Sequence, residues 1–177
     1  HGGVSAPRSV YVPPWSRNCQ STVRVVEGEL KALTCTELTG VLTVGLPGVG
    51  DWQMALAVLR ELGAKSVIVS LDQDSEERTR ARVGQCRASL AEACARLYGP
   101  SNVRIETWPT EAGKGPDDVL LADRWADVVT TRYTPPTKRP AKTKPPKRSH
   151  VRKMDPSIPA PTDPDELGER VKEILRN

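Results

Sequence analysis

The sequence predicts an α/β fold: a small, mostly parallel sheet flanked by helices. Three observations lead there. Short apolar runs alternate with segments of helical period, the pattern of βαβ units. The run at 66–71 (Ser66-Val67-Ile68-Val69-Ser70-Leu71) is continuously apolar apart from its ends, as suits a strand covered on both faces. Two runs end in carboxylates, Glu27 after the first and Asp72 and Asp74 after the third. The carboxyl edge of such a sheet is where open α/β folds place ligands.

Each element follows from local signals. Residues 1–20 read as an irregular segment that carries Pro7, Pro13 and Pro14 and wraps the core through Val10, Tyr11, Val12 and Trp15. Residues 22–27 read as a strand, 29–38 as a helix and 41–45 as a second strand. Residues 45–50 (Gly45-Leu46-Pro47-Gly48-Val49-Gly50) form a turn. Asp51 is expected to cap a helix whose apolar side is Trp52, Ala55, Leu56, Leu59 and Leu62, with Gly63 as its stop. After the third strand comes a long helix, 76–98, with the stripe Val83, Cys86, Leu90, Ala93 and Leu97. Gly99-Pro100 ends it. Residues 103–108 make a fourth strand. Asp117 opens a further helix through Leu120, Leu121 and Trp125, and the α/β domain is expected over 21–130.

Beyond Arg132 the composition changes. Five prolines between Pro135 and Pro146 are interleaved with lysines and arginines, a mixture that forms no packed core. Residues 131–161 therefore read as a stiff basic linker, either a nucleic-acid backbone contact or a tether. Asp163-Pro164-Asp165-Glu166 reads as the start of a short terminal helix over 162–177, with Leu167, Val171, Ile174 and Leu175 on one face.

The 177 residues fit one domain with appendages, and a net charge of +4 leans towards polyanions. The first residues, His1-Gly2-Gly3, lack an initiator Met and read as the remnant of a cleaved tag or as the start of an excised fragment, so a longer natural protein is expected. The cysteines Cys19, Cys35, Cys86 and Cys94 form no CxxC pair, and the histidines His1 and His150 fall in tails, which argues against a zinc site. Disulfides are not required. No apolar run is long enough for a bilayer, so no membrane partner and a cytoplasmic location are expected.

The carboxylates carry the chemistry. Asp72 and Asp74 lie two apart just past a strand, and Glu27 joins them if the strands are neighbours. Three carboxylates make a hard oxygen site suited to Mg²⁺, which in turn suits phosphate chemistry. The competing role is structural: Asp74, ahead of Ser75-Glu76-Glu77, is placed to cap the long helix.

The run Val25-Val26-Glu27-Gly28-Glu29-Leu30-Lys31-Ala32, followed by a glycine-containing loop and then Val69-Ser70-Leu71-Asp72-Gln73-Asp74, resembles the Toprim domain. The resemblance covers roughly 22–129 and is nearest to the primase-like domains of phage, plasmid and other mobile-element primase-helicases. Gly113-Lys114-Gly115-Pro116-Asp117-Asp118 is similar to the lysine-aspartate segment near the end of such domains. The resemblance implies a Toprim-type, Rossmann-like sheet and a Mg²⁺- or Mn²⁺-dependent nucleotidyl-transfer centre of a replication protein. Glu27 would act as acid, base or ligand, and Asp72 and Asp74 would hold the metal. Expected partners are DNA or RNA, NTPs and a helicase domain or subunit.

Nucleotide or phosphate contacts are expected at Gly28, Lys31, Gly48 and Lys114, with Asp117 and Asp118 as accessory acids or, more simply, helix caps. For the Gly48 loop the plain alternative is a tight turn, and for Lys114 a solvated loop lysine. Trp52 and Trp108 are expected to pack in the core or at its rim.

The sequence also departs from the primase pattern. Ser75-Glu76-Glu77-Arg78 stands where a primase has a small residue and a glycine, and Glu76 stands where a third aspartate is expected. Tyr11, Tyr98 and Tyr133 lie in tails or at a helix end, which argues against a complete topoisomerase. A Toprim nuclease and a non-catalytic nucleic-acid-binding or assembly module remain the alternatives to a primase.

Overall fold

The computed structural model describes residues 8–14 and 21–136. Trp15, Cys19, most of the basic linker and the expected terminal helix lie outside the described residues. The element order is β1 (Thr22–Glu27), α1 (Glu29–Thr39), β2 (Thr43–Leu46), α2 (Met54–Glu61), β3 (Ser66–Val69), α3 (Glu77–Tyr98), β4 (Val103–Thr107), α4 (Pro116–Leu121) and β5 (Val129–Arg132). The strands form one sheet in the order β2-β1-β3-β4-β5. The first four are parallel, and β5 pairs antiparallel to β4. The α/β class expected from the sequence is the observed one.

Strand periodicity divides the core. On β1, Val23 and Val25 point to the face covered by α2 and α3, where they meet Val44, Leu59, Val67, Leu90 and Cys94. Val26 points to the other face and packs on Ala32 and Cys35 of α1, with Leu120 of α4 alongside. Arg24 shares that second face. It is 3% exposed, and its Nε and Nη2 donate to the two carboxylate oxygens of Glu106 on β4, at 3.0 and 3.1 Å. Its Nη1 donates to Thr39 Oγ1 at 2.9 Å, and its guanidinium lies 5.2 Å from the centroid of the Trp125 ring.

The structure corrects four readings of the sequence. Strand β5 was not anticipated; its four residues are all exposed, so they carry no apolar alternation to read. Asp51 does not cap α2, which starts three residues later at Met54; Asp51 closes the 3₁₀ turn Val49–Asp51 and pairs with Arg8. The buried stripe of α3 is Val83, Leu90, Ala91 and Cys94, while Leu97 is 38% exposed. The expected stripe followed a 3.5-residue spacing, which drifts by about 20° per heptad around a straight helix. Helix α4 ends at Leu121, and Trp125 belongs to the separate 3₁₀ turn Trp125–Asp127.

Trp108 is buried, with its Nε1 donating to Gly113 O at 2.8 Å, and Trp52 packs half-buried against the main core. Cys35, Cys86 and Cys94 are free thiols. Among the described residues no helix is long and apolar enough to cross a membrane.

Candidate site at the carboxyl edge of the sheet

The chain runs from β1 through α1 to β2 on one side, then returns through α2 to β3 on the other side of β1. The strand order therefore reverses between β1 and β3, and the crevice outside their carboxyl ends is the general ligand position of such sheets. Glu27 is the last residue of β1, and Asp72 lies three residues past the end of β3. The turn after β1 depends on Gly28, whose φ of +93° is a conformation that L side chains rarely adopt. Its amide donates to Leu46 O at 2.9 Å.

A cavity of about 620 Å³ opens at this edge. Glu27, Asp72 and Asp74 line it together, with Gly48 and Gly50 of the loop after β2 and with Lys114. Sequence reasoning did not single out Arg8 and Arg82, which also line it. Gly28, Lys31, Asp117 and Asp118 do not form its wall.

Two lysines set the charge balance. Lys31, in the first turn of α1, reaches across to β3, and its Nζ donates to both oxygens of Asp72 at 2.7 and 2.5 Å. Asp72 is 5% exposed and the Lys31 side chain 23% exposed, so the buried member of the pair is the carboxylate. Lys114 Nζ lies 3.2 Å from Asp74 Oδ2, and Asp74 Oδ1 accepts the Glu76 amide at 2.9 Å. The Glu76 amide, and then Lys114, hold the Asp74 carboxyl below its ordinary range, while Asp74 pushes the Lys114 ammonium up. Asp74 thus bonds the backbone just ahead of α3, close to the capping role open to it, and still lines the cavity.

Arg87 was also missed. It lies on the sheet side of α3 and its Nη2 donates to the carbonyls of Leu71 and Asp72, both at 3.1 Å, which pins the chain where it leaves β3. The available signal was an arginine between Val83 and Leu90 on a helix side that otherwise buries apolar residues. The Gln73 amide donates to Lys114 O at 2.8 Å and ties that segment to the Lys114 loop.

Asp118 is a cap: its Oδ2 accepts the amides of Lys114 and Gly115 at 3.1 and 2.9 Å. Asp117 differs. Its Oδ1 is buried with no hydrogen-bond partner, and burial raises its carboxyl above the ordinary range, opposed by the nearby charge of Lys31.

By donor type alone these carboxylates suit a hard divalent cation. Their present spacing is set by the lysines, and among the described residues no three metal-ligating side chains converge on one point. Gathering Glu27, Asp72 and Asp74 around a cation requires Lys31 to leave Asp72.

Fold and site together define a doubly wound α/β domain with an acidic, lysine-balanced cavity at its switch point. Residues 15–125 match the family model described as "Domain of unknown function (DUF3854)", and the chain belongs to that family. Among solved structures, the primase fragment of the bacteriophage T7 primase-helicase protein is 21% identical at a TM-score of 0.44, over 62% of this chain and 42% of that one. The second is a bacteriophage T7 lagging-strand DNA polymerase interacting with primase domains bound to an RNA/DNA hybrid and dTTP. It is 20% identical at a TM-score of 0.42, over 60% of this chain and 50% of that one. The chain thus spans half or less of the length of either. No curated protein matches it.

Proposed function

We propose that this chain is a Toprim-type, primase-like domain of a replication protein from a mobile element, and that it transfers nucleotidyl groups with the help of Mg²⁺ or Mn²⁺. One observation carries the reading: Glu27 and the pair Asp72 and Asp74, from two motifs far apart in sequence, line one cavity at the switch point of the sheet. Their order along the chain is that of the Toprim motifs.

In this reading Asp72 and Asp74 would hold the cation, with Glu27 as a further ligand or as the group that takes the proton of an attacking hydroxyl. When bound, the cation supplies neutralisation of charge developing on the transferred phosphoryl group. The chain's own cations act on the same charge. Arg8, Arg82 and Lys114 line the cavity and are placed to meet phosphate oxygens. The Arg8–Asp51 pair, at 3.1 Å, offsets the negative charge of Asp51 at the edge of the glycine-bearing loop. Partners in this reading are NTPs, a nucleic-acid template and a helicase domain or subunit.

Calorimetry with Mn²⁺ tests the metal centre. Wild type is expected to bind, and an Asp72→Asn/Asp74→Asn variant to lose binding; equal affinity in both would overturn the reading. Incubation with single-stranded DNA, NTPs and metal then separates primer synthesis from the cleavage expected of a Toprim nuclease. A second, non-catalytic reading is favoured by one feature: Lys31 and Lys114 already neutralise Asp72 and Asp74. Salt-sensitive DNA binding without metal binding would select it.

A further inference from the structure

We infer that Lys31 is an internal cation that holds Asp72 in the metal-free protein and transfers to Asp117 when a divalent cation takes Asp72. The inference deepens the metal-dependent reading above and rests on it.

Lys31 occupies a costly place. It lies in the first turn of α1, where the helix dipole disfavours positive charge. It stays there because both oxygens of Asp72 accept from its Nζ. Asp72 is almost fully buried and cannot be left uncompensated without a large desolvation cost, whereas the Lys31 side chain is 23% exposed. A divalent cation entering on Asp72 displaces the ammonium, and in the first turn of α1 another acceptor nearby favours the displaced ammonium.

Asp117 supplies one. Its Oδ1 is buried and unpartnered, although Asp117 stands in the first turn of α4. A buried carboxylate oxygen without a donor is unusual enough to call for an explanation. The two groups flank the same glycine. A Cβ built on Gly115 would lie 2.9 Å from Lys31 Cε and 3.1 Å from its Nζ, and on its other side would overlap Asp117 Oδ1. Any side chain at position 115 would fill the space between the ammonium and its second acceptor. Lys31 thus has two carboxylates within reach of rotamer changes on a four-carbon stem, one bonded to it through both oxygens and one with a single buried oxygen unpartnered.

A double-mutant cycle with Mn²⁺ alone as the probe tests this. Calorimetry is run on wild type, Lys31→Met, Asp117→Asn and the double variant. Removing the internal competitor is expected to tighten Mn²⁺ binding on the order of tenfold. Asp117→Asn is expected to weaken binding about fivefold in the wild-type background and by less than about twofold in the Lys31→Met background, because coupled groups give non-additive cycles. Lys31→Gln, which keeps a donor towards Asp72, replaces Lys31→Met if the latter fails to fold.

Two results overturn the inference while leaving the metal reading intact. One is an equal Asp117→Asn loss in both backgrounds, which would make Asp117 a through-space charge only. The other is Mn²⁺ binding in wild type that does not tighten when Lys31 is removed. Absence of Mn²⁺ binding in all four proteins would instead remove the metal reading, and this inference with it.

Discussion

Replacing Glu106 with leucine should be among the most damaging single changes in the domain. Arg24 and Glu106 have side chains only 4% exposed, on the same face of the sheet with β3 between their strands. They share two hydrogen bonds, one to each carboxylate oxygen, at 3.0 and 3.1 Å. With Glu106 gone, the guanidinium keeps Thr39 Oγ1 and the Trp125 ring but has no counter-charge and no route to water. Breaking a buried pair by removing one partner costs about 3–5 kcal/mol. Against a total stability of roughly 5–15 kcal/mol, that is about a fifth or more of what holds the domain folded. At roughly 4 °C per kcal/mol for a domain of this size, the melting temperature should fall by roughly 12–20 °C.

Urea unfolding followed by circular dichroism gives the free energy directly. The partner experiment is Arg24→Met/Glu106→Leu, which removes both charges and should recover most of the loss, since an apolar pair of similar volume often matches a buried ion pair. A cost below about 1 kcal/mol for Glu106→Leu, or a double variant no more stable than the single, would refute the reasoning: water would then be reaching the guanidinium.

Three further outcomes are expected. In Lys114→Ala, the Asp74 carboxyl should titrate higher than in wild type yet stay below its ordinary 3.8, because the Glu76 amide remains; NMR titration of the carboxyl carbon reads this directly. The sign follows from the depressed folded value: the stabilisation from Asp74 is present above 3.8 and is lost as the pH falls through the lower folded value. Arg87→Met should cost about 1–3 kcal/mol in thermal melts, because it strips donors from the Leu71 and Asp72 carbonyls; a change within experimental error would show that water replaces them. Burial pushes the Cys35 and Cys94 thiols up to about 12, so in the native state at pH 8 a thiol reagent should modify half-buried Cys86 well before either; peptide mass mapping gives the order.

The elements that bury apolar side chains were legible in the sequence. β3 is a continuous apolar run and β1 an apolar run broken by Arg24, and the acids at their ends marked where the chain leaves the sheet. β5 was not legible because its residues are exposed and its place rests on backbone pairing to β4 alone. The polar partners inside the fold were hidden for another reason. Arg24 pairs with a residue 82 positions away and Lys31 with one 41 away, so neither leaves a local pattern. The departure from the expected role of Asp51 has the same origin, since Arg8 lies 43 positions before it. Gly48 and Lys114, expected in loops, both line the cavity at the carboxyl edge. No role was expected of the arginines of α3, and Arg87 is half-buried against the chain leaving β3.

The matched family span, 15–125, is narrower than the folded sheet. Tyr11 exchanges two backbone hydrogen bonds with Gly45, at 2.8 and 2.9 Å, and so covers the outer side of β2. β5 covers the outer side of β4. A protein trimmed to the matched span would lose both covers at once and present a row of unpaired amides and carbonyls on each flank of the sheet. Such flanks recruit further strands from other copies. Self-association of a trimmed domain would therefore report where the chain was cut, not how the intact protein assembles.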